Sequence, residues 1–223
     1  MSKVMQAKAP AEAPKERLVR PRVIHYVKRK RILDILGSLL LMVLLSPLLL
    51  AIALWVKLTS KGPVIYKSTR VGLGGRHFQF LKFRSMYVDA DRRQAELLAQ
   101  NEKDGPIFKM KNDPRITPIG RALRRYSLDE LPQLWNVFVG EMSLVGPRPP
   151  LPREVEQYTE DCLERLSVKP GITCYWQIMG RSDLSFEEWM ELDKRYLREM
   201  GVWTDLKILL LTPIAVFRGD GAY

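Results

Sequence analysis

The chain has 223 residues, 46% of them hydrophobic and 27% charged, with a net charge of +11. That is enough for one domain with its own core, and it excludes a wholly disordered polypeptide. Its two cysteines, Cys162 and Cys174, lack CxxC spacing, and its two histidines, His25 and His77, are far apart. Neither a disulfide framework nor a zinc site is expected, and the thiols are read as reduced and facing the cytosol.

The charge is unevenly placed. Residues 1–31 hold ten Lys/Arg against two Glu, leaving 26 against 23 for the rest, so an anionic surface is the expected partner, either membrane or nucleic acid. Residues 1–24, rich in Ala, Pro, Lys and Glu, are predicted to be a disordered basic tail. From Ile35 to Val56, 22 residues carry no charge; as a helix this run is about 33 Å long, close to the thickness of a bilayer's hydrocarbon core. It favours the membrane as partner, and no nucleic-acid-binding motif competes with it.

Length alone allows a span, but two features oppose a simple one. Proline in Ser46-Pro47 removes a backbone donor and divides the run into halves of about 18 and 14 Å, each too short to cross. Basic residues flank both ends, Lys28 to Arg31 before the run and Lys57, Lys61, Lys67 and Arg70 after it, and such flanks prefer the cytoplasmic side. A bent helix entering and leaving by one leaflet satisfies both; an ordinary anchor with a tolerated proline is the competing reading. Residues 25–58 are therefore assigned to a membrane segment and 59–223 to the domain that follows it.

Beyond residue 58, residues 63–66 and 77–81 are predicted strands, joined by Val71-Gly-Leu-Gly-Gly75, which lacks Walker or GxGxxG spacing and reads as a hairpin turn. A polar helix is expected at 85–102, loop at 105–118, and helices at 119–126 and 130–139. The proline-rich run 146–152 should be extended. Helices at 186–200 and 205–217 suit either a membrane interface or core packing.

The densest polar cluster is Arg121-Ala-Leu-Arg124-Arg125-Tyr-Ser-Leu-Asp129-Glu130-Leu-Pro132. A helix beginning near Asp129 would place Pro132 in its first turn. The structural reading makes Asp129 an N-cap and Glu130 a partner of the helix dipole. The functional reading uses the same carboxylates as a nucleophile on phosphorus and a Mg²⁺ ligand, with arginines taking phosphate oxygens.

Ser127-Leu-Asp-Glu-Leu-Pro-Gln-Leu-Trp-Asn136 followed by Gly140-Glu-Met-Ser-Leu-Val-Gly-Pro-Arg-Pro149 resembles the bacterial sugar transferase family, the monotopic polyprenyl-phosphate phosphoglycosyl transferases. Lys82-Phe-Arg-Ser-Met86, Lys169-Pro-Gly-Ile-Thr173, Trp176-Gln177, Gly180-Arg-Ser182, Asp205-Leu-Lys-Ile208 and Gly219-Asp-Gly-Ala-Tyr223 extend the resemblance over roughly residues 25–223 in the family's order.

This resemblance implies an α/β fold: a mainly helical catalytic domain with short strands, held by one re-entrant helix on the cytoplasmic face of the bacterial inner membrane and by interfacial amphipathic helices. It tips the topology toward re-entry at Ser46-Pro47. It implies transfer of a sugar-1-phosphate from a UDP-sugar to polyprenyl (undecaprenyl) phosphate, releasing UMP, as the first membrane step of exopolysaccharide or other glycoconjugate assembly.

Asp129 matches the family nucleophile, Glu130 the Mg²⁺ carboxylate, and Pro147-Arg148-Pro149 a nucleotide-sugar-binding motif. Lys82, Arg124, Arg181 and Asp205 match polar positions around the site. The implied partners are the UDP-sugar, the polyprenyl phosphate and anionic lipids, with no nucleic acid; a homo-oligomer is left open. The chain is read as a minimal form without the transmembrane bundle of longer members, and a hexose such as glucose or galactose is the expected sugar, ahead of an N-acetylated one. One departure is Cys174-Tyr175, where relatives usually have a glycine-led pair; loop geometry and sugar preference are left open there, but not the chemistry.

Overall fold

The structure is a computed structural model describing residues 21–219 and Gly221. The predicted tail therefore lies outside the described residues as far as residue 20, and from Pro21 the chain is already helical. Helix α1 (Pro21–Leu44) and helix α2 (Ser46–Thr59) meet at Leu45 with a bend of 64°. The cause is the one expected from composition. Pro47 has no N–H for the carbonyl of Val43, and the Ser46 hydroxyl donates to that carbonyl instead, at 2.8 Å. Among the described residues no single helix is long and apolar enough to cross a membrane; the bent pair passes that test of length and composition only when its two helices are taken together.

One side of the pair belongs to the protein core. Ile52 and Val56 are buried against Phe83, Ile119 and Leu123. The other side, including Leu36, Leu40, Leu44, Leu50, Leu54 and Leu58, is exposed. Polar contacts fasten α1 to the body. Arg31 donates to the carbonyls of Val137 and Phe138 at 2.6 and 2.7 Å. Asp34 Oδ1 accepts from Ser143 Oγ and the Leu144 amide, both at 2.9 Å. Tyr26 and Lys30 both donate to Asp205.

Strands β1 (Ile65–Val71) and β2 (His77–Phe83) form an antiparallel hairpin. Its turn is the glycine cluster, with Gly74 and Gly75 at φ 62° and 80°. Helix α3 spans only Ala90–Leu97, shorter than the predicted 85–102, because residues 85–87 are committed elsewhere: the Ser85 carbonyl accepts from Thr117 and the Tyr87 amide donates to Arg115. Helices α4 (Pro118–Arg125) and α5 (Gln133–Val139) follow. Strand β3 (Ser143–Val145) pairs in parallel with β4 (Gly171–Thr173), the short helices α6 (Pro152–Val155) and α7 (Glu160–Leu163) lying between them.

Helix α8 (Tyr175–Met179) leads to α9 (Phe186–Glu199), which opens on a Ser185/Glu188 capping box, and to α10 (Val202–Arg218). Phe80, Leu134, Val137, Met142, Trp176, Tyr196 and Ile208 pack into the main core. The described fold is thus mostly helical with two small two-stranded sheets, as expected of a mainly helical domain with short strands. Helix α10 is buried on one face and open on the other: Ile208 is buried in the core, whereas Trp203 and Phe217 are 81% and 78% exposed.

Candidate active site

A cavity of about 850 Å³ opens between the hairpin, the α4–α5 turn, the 147–153 segment and the 176–182 segment. Arg70, Lys82, Lys109, Arg124, Arg148 and Arg181 all line it, and Asp129 and Glu130 stand among them. Asp91, Asp113 and Glu156 also line it, but Lys and Arg outnumber the carboxylates, which suits an anionic ligand of nucleotide size.

The α4–α5 turn is built by close approach. Gly120 packs so tightly on Ser85 that a Cβ there would lie 1.9 Å from the Ser85 carbonyl oxygen, and Arg124 Nε donates to Ser85 Oγ at 3.0 Å. Helix α4 ends at Arg125; two residues on, the Ser127 backbone is left-handed (φ 51°), and Leu128–Glu130 forms a single 3₁₀ turn. Asp129 therefore caps no α-helix. The expectation of a helix beginning at Asp129 is corrected: α5 starts after Pro132, which occupies the N-cap position.

Asp129 is buried in this turn, and Lys82 Nζ, projecting from β2, lies 3.5 Å from its Oδ2 and 2.6 Å from Glu130 Oε1. Arg148 Nη1 reaches the same Glu130 oxygen at 3.4 Å. Burial pushes the Glu130 carboxyl up, but Lys82, Arg148 and Arg181 together outweigh it and hold the group at about 2.

The Pro147–Pro150 run has few N–H groups to offer, so it is held by its carbonyls. Those of Pro147, Arg148, Pro149 and Pro150 accept from the Gly171 amide at 2.9 Å, Arg165 Nη2 at 2.9 Å, Arg70 Nη1 at 3.1 Å and the Val71 amide at 3.0 Å. The Arg148 guanidinium lies over the Trp176 ring, 5.6 Å from its centroid. On the opposite wall, Arg181 Nη2 donates to Ser127 Oγ at 2.6 Å.

The structure brings Lys82, Arg124, Asp129, Glu130, Arg148 and Arg181 together at one cavity. Pro147 and Pro149 frame Arg148 without lining the cavity. Asp205 is placed elsewhere: it is buried between α1 and α9, accepting from Tyr26, Lys30 and, at 2.8 Å, Tyr196. Its position is that of a structural clasp, set apart from the ligand cavity. Cys174 has extended backbone (φ −162°), a conformation open to any residue, so this position does not itself require a glycine; the thiol is buried and burial pushes its ionisation well up. Sequence reasoning missed Lys109, which lines the cavity from the 101–117 loop and donates to Ser182 Oγ. Burial and the nearby Arg148, Arg124 and Lys82 push its ammonium down to about 7.

Residues 25–219 match the family described as bacterial sugar transferase. The chain belongs to that family. The undecaprenyl-phosphate galactose phosphotransferase of Salmonella typhimurium is 46% identical over 202 residues, 87% of this chain and 41% of that protein. The UDP-glucose:undecaprenyl-phosphate glucose-1-phosphate transferase of Escherichia coli is 44% identical over 202 residues, 87% of this chain and 41% of that protein. The exopolysaccharide production protein ExoY of Rhizobium meliloti is 40% identical over 198 residues, 87% of this chain and 88% of that protein. This chain thus spans about two fifths of the length of the first two relatives.

The bacterial sugar transferase resemblance implies Mg²⁺, and the donor set fits one. No group of three or more His, Cys, Asp or Glu side chains suited to a metal stands among the described residues. Mg²⁺, however, needs only one or two protein carboxylates when substrate phosphates and water complete its shell. Glu130, held ionised beside Asp129, has that character.

Proposed function

We propose that this chain transfers a sugar-1-phosphate from a UDP-sugar to undecaprenyl phosphate and releases UMP. The observation that carries the reading is Asp129: a buried carboxylate in a cavity that Lys109, Arg124, Arg148 and Arg181 also line, within reach of Lys82. The relatives' names supply the substrate classes: undecaprenyl phosphate in two of them, galactose in one and UDP-glucose in the other.

The chemistry divides into two displacements at one phosphorus. An Asp129 oxygen forms a bond to the sugar-bearing phosphorus as the bond to the UMP oxygen breaks, and UMP departs with that electron pair. A phosphate oxygen of the prenyl acceptor then bonds to the same phosphorus and the Asp129 oxygen leaves. Both nucleophiles are anions, so neither step needs a general base. The work falls to the cations: Lys82 fixes the two carboxylates side by side, while Arg148, Arg124 and Arg181 neutralise the diphosphate and then the departing UMP. Mg²⁺ bound at Glu130 would add further charge neutralisation at the diphosphate.

The bent α1–α2 pair suits a re-entrant seat on the cytoplasmic face of the inner membrane. Its uncovered leucines would enter the acyl layer, with the exposed Trp203 and Phe217 of α10 at the interface. Anionic lipids would meet the basic residues before α1. Such a seat lets a water-soluble donor and a lipid acceptor reach one cavity.

The test is UMP release from a panel of UDP-hexoses and UDP-N-acetylhexosamines with undecaprenyl phosphate, by the full chain in liposomes. Release from UDP-glucose or UDP-galactose that depends on the acceptor supports the reading; no release from any member of the panel overturns it.

A further inference from the structure

Arg148 is the cavity cation whose surroundings are the most elaborate. Its carbonyl accepts from Arg165 Nη2 at 2.9 Å. Its guanidinium covers Trp176, the Trp176 ring lies 5.1 Å from that of Trp189, and Arg165 itself lies over the Trp189 ring at 5.4 Å. The same Arg165 is thus tied to Arg148 twice, once through the backbone and once through a guanidinium–indole–indole–guanidinium stack.

Arg165 lies outside the cavity lining and is buried. Its Nη2 stands 2.7 Å from Oδ2 of the fully buried Asp193 of α9, and its Nη1 donates to the Tyr158 hydroxyl at 2.8 Å. Burial pushes the Asp193 carboxyl up to about 6 even with Arg165 beside it, in keeping with side chains that are 3% and 1% exposed. A buried ion pair is often no more stabilising than an apolar pair of equal volume. What an apolar pair could not supply is a fork that spans Asp193, Tyr158 and the Arg148 carbonyl together.

We infer that Arg165 is a positioning residue for Arg148, holding the donor-binding guanidinium at the height of Glu130 through the Arg148 carbonyl and the Trp176–Trp189 stack. The role of Arg148 in binding the diphosphate rests on the proposed function; the positioning itself does not.

The experiment is a double-mutant cycle on the full chain in detergent, with UDP as the probe in calorimetry and with hydrogen exchange of the ligand-free protein. Arg165→Lys keeps the charge beside Asp193 and loses the fork. It should weaken UDP binding about tenfold in the otherwise native chain and by less than about twofold in the Arg148→Ala background. Without ligand, it should speed exchange at the amides within residues 144–151, those of residues 144–146, Arg148 and Leu151, and leave α4 and α5 unchanged. An equal loss of affinity in both backgrounds, or unchanged exchange at 144–151, overturns the inference and makes Arg165 a general core residue. Equal UDP binding by the native chain and Arg148→Ala would instead count against the proposed function, and the exchange result would still decide the positioning. Should Arg165→Lys fail to fold, Tyr158→Phe, which removes only the Nη1 partner, carries the same cycle with an expected loss of about threefold that also vanishes without Arg148.

Discussion

Arg181 donates to Ser127 Oγ at 2.6 Å, and these two are the residues other than glycine that hold positive φ among the described residues, 53° and 51°. Two strained backbones joined by one charge-assisted hydrogen bond, on a turn that leads directly into Asp129, form a local device that the surrounding packing must support. Ser127→Gly and Ser127→Ala both remove the hydroxyl that orients Arg181, so both should raise the donor KM by roughly tenfold. They should differ in stability: alanine in a left-handed position is worse than glycine by about 1 kcal/mol, which at this size is a gap in Tm of roughly 2–4 °C. Equal melting temperatures for the two variants would show that the turn stores no strain.

Asp129→Asn should keep the native Tm within a few degrees and lose transfer by several orders of magnitude, because an amide does not displace UMP. Native protein given UDP-sugar without acceptor should gain the mass of one phosphosugar, placed on Asp129 by peptide mapping. Turnover by the Asn variant near the native rate removes the nucleophile assignment.

Glu130, held at about 2 by Lys82, Arg148 and Arg181 against burial, stays ionised throughout the working pH range. Any activity loss between pH 5 and 8 should therefore not arise from its protonation. Glu130→Gln should reduce the rate sharply and flatten the response to Mg²⁺. Undiminished rates of the native enzyme in excess EDTA would dismiss the metal.

Lys109 titrates where cells operate. Its ammonium is pushed down to about 7 by burial and by Arg148, Arg124 and Lys82, with Glu130 opposing. The protonated form is the one that attracts a diphosphate, so UDP affinity should fall as pH rises from 6 to 8.5. Binding should draw a proton onto Lys109, since the ligand's charge offsets the neighbouring cations. Calorimetry at pH 8 in buffers of different ionisation enthalpy reads this uptake, and Lys109→Met should abolish it. Identical uptake in that variant would assign the proton elsewhere.

How much of this was legible in the sequence follows from how local each cause is. The break at Ser46-Pro47 was readable because a missing N–H acts within one helical turn, and the β1–β2 hairpin because its glycines sit where positive φ is needed. The start of α5 was misjudged because the left-handed Ser127, set by Arg181 from 54 positions away, turns the chain before Asp129 can cap anything. Motif order brought Asp205 into the site on paper, yet order along the chain does not tell which side of a helix bundle an aspartate faces. Lys109 and Arg165 belong to no motif; only the fold sets one in the cavity and the other behind it.

Topology has its own test. With Cys162 and Cys174 replaced by alanine, Arg20→Cys and Lys61→Cys should both be labelled from the cytoplasmic side alone. Replacing Ser46-Pro47 with Ala-Ala restores the missing donor and should carry position 20 to the far side in a fraction of molecules. Periplasmic labelling of position 20 with Ser46-Pro47 intact removes the re-entrant reading and leaves the catalytic proposal standing.

The clasp on α1 changes what kind of object the hydrophobic hairpin is. Arg31, Asp34, Tyr26 and Lys30 bind it to α5, β3 and α10, while Leu41, Met42 and Leu45 pack on the main core and Leu49 and Ala53 on the second one. A tether would let the catalytic body float at any height above the bilayer; a keel does not. On the proposed seating, the depth of Asp129 relative to the lipid headgroups is a fixed dimension of the folded protein. Anchor and enzyme then form one inherited unit, in which exchanging the hairpin for a foreign membrane helix would strip two cores rather than change a mooring.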